Sequence, residues 1–296
     1  MVREVVRGLV EVRVAQLDVL SHHSHRVRGA PHLLLDHLVQ RERTGVVPGR
    51  CRSTAIALAD LEAGFPPDPE DPQFALPSLI CLENTQSRCG GVVLSLDYLR
   101  QVRQFATEHN ISLHLDGARL FNASVAMGVP AVEIARYADS VQFCLSKGLG
   151  APVGSVVAGT TGFIRGVRRV RKMLGGGMRQ AGVLAAAGLV ALEEHPRLAE
   201  DHANARRLAE GLAGIEGISV DLAAVVTNIV FFRVTDERWT WQTFVAAAAE
   251  RGLAIAELGH GRLRAVTHSG VTSADVDRAV EIVNEILRRQ AALLRR

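Results

Sequence analysis

An α/β protein with a mostly parallel sheet in a large domain and a small C-terminal α/β domain is what this sequence predicts, on three observations. Strand-length apolar runs at Leu79–Leu82, Ile111–Leu115 and Val141–Leu145 alternate with longer segments of helical spacing. Each run stops at polar or glycine residues, as strands do at a sheet rim. A length of 296 residues with 48% apolar content supports a large core and more than one domain.

Taken in order, residues 1–50 are the least regular part. Val2–Ala15 and Leu33–Leu38 are candidate amphipathic elements, interrupted by His22-His23-Ser24-His25-Arg26 and Pro31. Glu4, Glu11, Asp18 and Asp36 argue against a signal peptide or an arginine-rich targeting arm. Ile56–Leu61 reads as a short helix and Pro66–Pro72 as a rigid loop. Leu79–Leu82 is then a strand, Leu96–Glu108 a helix, and Ile111–Leu115 a strand with Asp116-Gly117 at its end. Phe121–Met127 and Val129–Tyr137 read as a helix pair, followed by strands at Val141–Leu145 and Val153–Ala158. Right-handed crossovers between parallel strands are the simplest connection. Ala181–Glu194 and Pro196–Ala213 form a helical bridge. After Gly214, strands at Ile218–Leu222, Ile229–Val234 and Leu263–Val266 alternate with helices at Trp239–Arg251 and Ser273–Arg288. The division expected is an atypical, poorly ordered region at 1–77, a large domain at 78–212 and a small domain at 213–296.

The formal charge of +3 is local: Arg165, Arg168, Arg169, Arg171, Lys172 and Arg179 occur with no acid between them. No helix-turn-helix signature, aromatic strand pair or zinc spacing accompanies that run, so it reads as a solvated or subunit-contacting face or an anion site, with no nucleic acid expected. No apolar stretch reaches the ~18 residues of a membrane span, and a cytoplasmic protein is the expectation. Cys51, Cys81, Cys89 and Cys144 read as thiols in a reducing compartment, Cys144 in the core. The close histidines lack the i, i+4 frame of a metal site, and no metal is expected.

Functional side chains of a parallel sheet gather at the carboxyl ends of its strands. Glu83-Asn84-Thr85, Asp116 with Arg119, and Ser146-Lys147 all fall there. A lysine in such a crevice can bind an aldehyde covalently, and a carboxylate can hold a ring nitrogen protonated, which suits an electron-sink cofactor. An Asp-Gly pair also serves as a plain turn, and a lysine before glycine as a solvated loop residue; the residues alone leave both open. Ser146-Lys147 has neither the glycines of a phosphate loop nor the spacing of a serine–lysine hydrolase.

Leu82-Glu83-Asn84-Thr85 with Gly90-Gly91, the run His114–Leu120, the run Leu145–Ser155 and Leu174-Gly175-Gly176-Gly177-Met178-Arg179-Gln180 together resemble the low-specificity threonine aldolases. Thr227–Val230 and Arg264–His268 extend the likeness, which runs from Leu79 to the C-terminus. It implies a pyridoxal-phosphate-dependent transferase fold of aspartate aminotransferase type and cleavage of L-threonine or L-allo-threonine to glycine and acetaldehyde. It also implies pyridoxal 5'-phosphate as cofactor, Lys147 as its covalent anchor and Asp116 as partner of the pyridine nitrogen. Arg119 would contact cofactor or substrate, Arg264 would clamp the substrate carboxylate, and Arg179 would reach the cofactor phosphate of a neighbouring subunit in a homotetramer or dimer.

The family's phosphate-binding turn and ring-stacking histidine are not legible in residues 1–77, where His22, His23, His25 and His32 lie. Two further readings therefore stand beside the active aldolase: a catalytically weak homologue lacking part of the phosphate cup, and a related β-hydroxy amino acid lyase.

Overall fold

The computed structural model describes residues 15–16, 55–74 and 76–293, with side chains described from 55 to 288 except 75. The first sheet and its helices comprise β1 (Ala15–Gln16), α1 (Leu58–Glu62), β2 (Leu79–Glu83), α2 (Leu96–Glu108), β3 (Ser112–Asp116), α3 (Leu120–Met127), α4 (Ala131–Ala135), β4 (Ser140–Cys144) and β5 (Ser155–Gly159). Its strand order is β1-β5-β4-β3-β2. β2 pairs β3 in parallel, Ile80 beside Leu113 and Glu83 beside Asp116, and β3 pairs β4 in parallel, Asp116 beside Gln142. β5 lies where a strand was expected but runs antiparallel to β4, and β1 antiparallel to β5, so the sheet is mixed. Residues 145–154 are too few for the crossover a parallel partner needs.

Alternation sorts the two faces of this sheet. Ile80, Leu82, Leu113, Leu115 and Val141 are buried in one cluster with Leu99, Val102, Phe105 and Ala106, the apolar stripe of α2. Ser95 starts that helix by accepting the Tyr98 amide at 3.2 Å. Glu83, His114, Asp116 and Gln142 therefore stand on the opposite face. His114 Nδ1 lies 2.8 Å from Ser140 Oγ across the strands, which confirms the sorting.

Of the expectations for residues 1–77, the elements at Val2–Ala15 and Leu33–Leu38 and the disorder of 1–54 lie outside the described residues, Ala15 in β1 aside. Within the described part, Ala55, Leu61 and Phe65 pack against the first core, and Phe65 meets Phe105 edge-on at 5.9 Å. Cys81 and Cys144 are free, whereas Cys89 is disulfide-bonded, a correction to its reading as a thiol.

α5 (Thr161–Met173) buries only Ile164 and leaves Arg165, Arg168, Arg169 and Lys172 exposed. The helical bridge is two helices, α6 (Gly182–Glu193) and α7 (Leu198–Ala213), separated by a turn at His195–Arg197. Pro196 has no amide to continue the ladder.

β6 (Ile218–Val220), β7 (Ile229–Val234), α8 (Trp241–Ala249), β8 (Ala256–Glu257), β9 (Leu263–Val266) and α9 (Ser273–Leu293) complete the chain. Their sheet has the order β6-β7-β9-β8, antiparallel throughout. Its core joins Val230, Phe232 and Leu263 to Leu208 and Leu212 of α7, Phe244 of α8 and Ile286 of α9. No helix among the described residues is long and apolar enough to cross a membrane.

Gly211 allows α7 and α9 to touch. A Cβ there would stand 2.6 Å from Val280 Cγ2 and 3.1 Å from its Cγ1. Alanine ordinarily gains ~1 kcal/mol over glycine inside a helix. Overpacking against a stiff β-branched neighbour costs ~1–3 kcal/mol. Gly211→Ala is thus expected to lower the urea midpoint, by about 1 kcal/mol in unfolding free energy; an unchanged or raised midpoint contradicts this packing.

Candidate active site

β3 delivers Asp116 to the carboxyl rim and stops there. The Gly117 amide is held by Gln142 O at 2.8 Å, and a Cβ on Gly117 would meet that same oxygen at 2.8 Å, so the tight turn requires glycine. Asp116 Oδ1 accepts from Gln142 Nε2 at 2.6 Å and from the Ala118 amide at 3.1 Å. Oδ2 makes no hydrogen bond among the described residues and is left for another donor. Glu83, paired with Asp116 in register, accepts the Ser87 amide at 3.1 Å.

Arg119 directly precedes α3. Burial lowers its pKa from the ordinary arginine value, and the Arg264 guanidinium of β9 is the next cause, ahead of the opposing charges of Glu83, Cys144 and Asp116. Two guanidiniums close enough to repel suit an anion, because a carboxylate between them would relieve the repulsion. Arg264 Nε is buried without a hydrogen-bond partner, and an anion would satisfy it.

Past Cys144 the chain turns through residues 145–154. Leu145 N and Ser146 N donate to Gly154 O at 2.9 and 3.3 Å, Gly150 N to Lys147 O at 2.9 Å, and Ala151 N to Leu145 O at 3.0 Å. Gly150, at φ 82°, supplies the left-handed step. Lys147 is exposed, and its amine makes no hydrogen bond or ion pair among the described residues. A small concavity lined by Ala118, Arg119, Asn122, Cys144, Gly148 and Leu149 joins the Asp116 loop to this turn.

The structure therefore brings Asp116, Arg119 and Arg264 together and sets the Lys147 turn beside them. It does not add Arg179, which is exposed in the 174–181 loop and makes no ion pair or hydrogen bond among the described residues. Asn84 and Thr85 are also removed from the crevice: both are buried, and Asn84 Oδ1 accepts the Leu94 amide at 3.1 Å. His22, His23, His25 and His32 lie outside the described residues.

Sequence reasoning missed a polar seam. Asn122 Nδ2 lies 3.1 Å from His202 Nε2 and 3.3 Å from Asn228 Oδ1, and Asn228 Nδ2 donates to Thr267 O at 2.9 Å. Thr227 Oγ1 donates to Gly91 O at 2.8 Å. An asparagine inside the apolar run of α3 is the one signal that could have pointed here, since such a residue needs buried partners.

The described residues fit a pyridoxal-type cofactor at three points: an open carboxylate oxygen for a ring nitrogen, an unbonded amine for an aldehyde, and an unpartnered guanidinium nitrogen for a carboxylate. On the phosphate side they offer exposed Arg179 and Ser146, whose hydroxyl already donates to Gly154 O at 3.3 Å.

The family model for beta-eliminating lyases matches residues 24–235. The chain is 48% identical over 238 residues to the low-specificity L-threonine aldolase 1 of Arabidopsis thaliana, covering 78% of this chain and 66% of that protein. It is 49% identical over 172 residues to the low specificity L-threonine aldolase of Escherichia coli strain K12, covering 57% and 49%. It thus spans from about half to about two thirds of the length of these relatives. Among solved structures it is similar to Leishmania major threonine aldolase, with a TM-score of 0.64 at 21% identity over 78% of this chain and 67% of that one. Sphingomonas wittichii serine palmitoyltransferase gives 0.58 at 19% identity over 73% and 56%. The fold is that of the pyridoxal-phosphate-dependent transferases of aspartate aminotransferase type, as the sequence led us to expect.

Burial pushes the His202 imidazole down to about 4. Between its ordinary value near 6.5 and that value the unfolded chain binds a proton that the folded chain refuses, so this contribution is intact above pH 6.5 and is lost as pH falls. The loss is expected to be on the order of 2 kcal/mol by pH 4 once partial solvent exposure is allowed for. His202→Gln should flatten stability against pH across that window; an unaltered slope contradicts the assignment.

Proposed function

Because the chain belongs to the beta-eliminating lyase family, in its low-specificity L-threonine aldolase group, we propose that it cleaves L-threonine and L-allo-threonine to glycine and acetaldehyde with pyridoxal 5'-phosphate. The observation that carries this reading is the paired Arg119 and Arg264, with an unsatisfied buried Nε, beside an aspartate whose Oδ2 is open. Bound there, the cofactor would supply an aldehyde for covalent attachment of amines and a ring that stores the electrons of the broken Cα–Cβ bond.

The chain's own residues would do the rest. Asp116, its Oδ1 fixed by Gln142 and Ala118, would accept the ring N–H at Oδ2 and so keep the ring nitrogen protonated. Arg264 and Arg119 bind and orient the substrate carboxylate, a planar two-point task that suits guanidinium. Lys147 would anchor the cofactor by its amine.

The exposure of Lys147 and Arg179 favours a second reading, in which one chain by itself is a weak catalyst. Met173, Leu174, Met178 and Val183 are exposed around the same segment, which supports a homodimer or homotetramer in which another copy covers it. A related β-hydroxy amino acid lyase is the enzyme alternative. The division at 78–212 and 213–296 is kept as a proposal, supported by the two separate cores.

Added pyridoxal phosphate is expected to produce an absorption band near ~420 nm and, after borohydride reduction, an adduct on Lys147. Threonine should then yield glycine and acetaldehyde, and Lys147→Ala should abolish both results. Arg264→Lys should raise KM for threonine at least about tenfold, with a smaller change in kcat. No band and no adduct at saturating cofactor would establish the weak-homologue reading.

A further inference from the structure

The turn that carries Lys147 is gripped from behind by a side chain to which the cofactor reading gives no role. We propose that Arg197, seated on Asp201, is a positioning residue whose guanidinium ties the start of α7 to the Gly148 carbonyl and so sets the direction in which Lys147 leaves the rim. Its catalytic meaning rests on the reading of Lys147 as the cofactor-binding amine; the bridge itself does not.

One planar fork serves two acceptors. Arg197 Nη2 donates to Gly148 O, and Nη1 lies 3.4 Å from both Asp201 Oδ1 and Oδ2. At that length the Asp201 contacts are chiefly Coulombic, at a residue only 2% exposed. Burial raises the Asp201 pKa while the Arg197 charge opposes the rise, so each group needs the other in place. Lysine keeps the charge but presents one nitrogen, which cannot reproduce a fork spanning two acceptors.

The turn and the helix also meet without spare room. A Cβ on Gly148 would stand 3.0 Å from Leu198 Cδ2 and 3.2 Å from Asn122 Oδ1, and one on Gly150 would stand 3.5 Å from Arg197 Nη2. On its other side the same helical turn holds the strand of the carboxylate-binding arginine: Thr267, three residues after Arg264, donates Oγ1 to Asp201 O at 2.6 Å. Arg197 and Asp201 therefore register the Lys147 turn against Arg264, through one rigid element rather than through loops.

Hydrogen exchange reads the bridge without cofactor, because the Gly150 and Ala151 amides donate within the turn. Arg197→Lys, which keeps a cation beside Asp201, is expected to hold the thermal midpoint within about 2 °C. It should speed exchange at residues 148–151 about tenfold and slow borohydride-trapped labelling of Lys147 by pyridoxal phosphate by a similar factor. Exchange at parental rates in both Arg197→Lys and Arg197→Ala overturns the bridge, whatever the labelling does. A lowered midpoint with exchange raised throughout α7 and the second sheet also overturns it, in favour of a plain structural role. Faster exchange at 148–151 in a chain whose Lys147 is never labelled supports the bridge and counts against the cofactor reading instead.

Discussion

In a parallel strand pair both partners reach the same edge, so the register of β3 on β4 decides which side chains can share a site. With Asp116 beside Gln142 and His114 beside Ser140, the polar positions of both strands fall on one face and the apolar ones on the other. The apolar face is covered by α2, whose Leu99 and Val102 are almost wholly buried. Slipping the pair by one residue would turn Asp116 into that core, where an unpaired carboxylate costs several kcal/mol. Burial of Leu113 and Leu115 thus protects the position of the aspartate between them and the rim.

The same logic holds the two sheets' elements against each other. Asn122, Thr227, Asn228, Asp201 and Thr267 are each 2% exposed or less, and all have hydrogen-bond partners. Bonded polar groups add little net stability, but each is costly to strand, so a seam built of them favours one geometry over its neighbours. The arrangement is directional in a way that apolar packing is not. Arg119 of the first sheet's side and Arg264 of the second sheet come close enough for their charges to repel, which underlies the proposed anion site.

Much of this is legible in the sequence. Asp116-Gly117 and Ser146-Lys147-Gly148 follow apolar strand runs directly, and strand ends in such folds are where chemistry collects; the alternation of runs and helical spacings placed both. The direction of β5 was not legible, since a run such as Ser155–Gly159 has the same period whichever way it points. β8, at two residues, is too short to leave a pattern. Gln142 reads as an interruption in an apolar strand until Asp116 is seen beside it. Arg197, Asp201 and His202 read as ordinary polar positions at the start of a helix, because nothing local announces that Gly148 and Asn122 approach from elsewhere in the chain. Arg179 was legible as a motif residue, yet the described residues give it no partner, and its proposed role depends on a second copy.

On the proposed reading, one amine and one carboxylate from adjacent parallel strands straddle a single ring. A crystal structure of the chain soaked with pyridoxal phosphate measures this directly. The expected result is continuous density from Lys147 Nζ into the cofactor, with Asp116 Oδ2 about 2.7–2.9 Å from the ring nitrogen and Gln142 still bonded to Oδ1. An unmodified Lys147 directed into solvent, with Asp116 facing away from any bound ring, would contradict it.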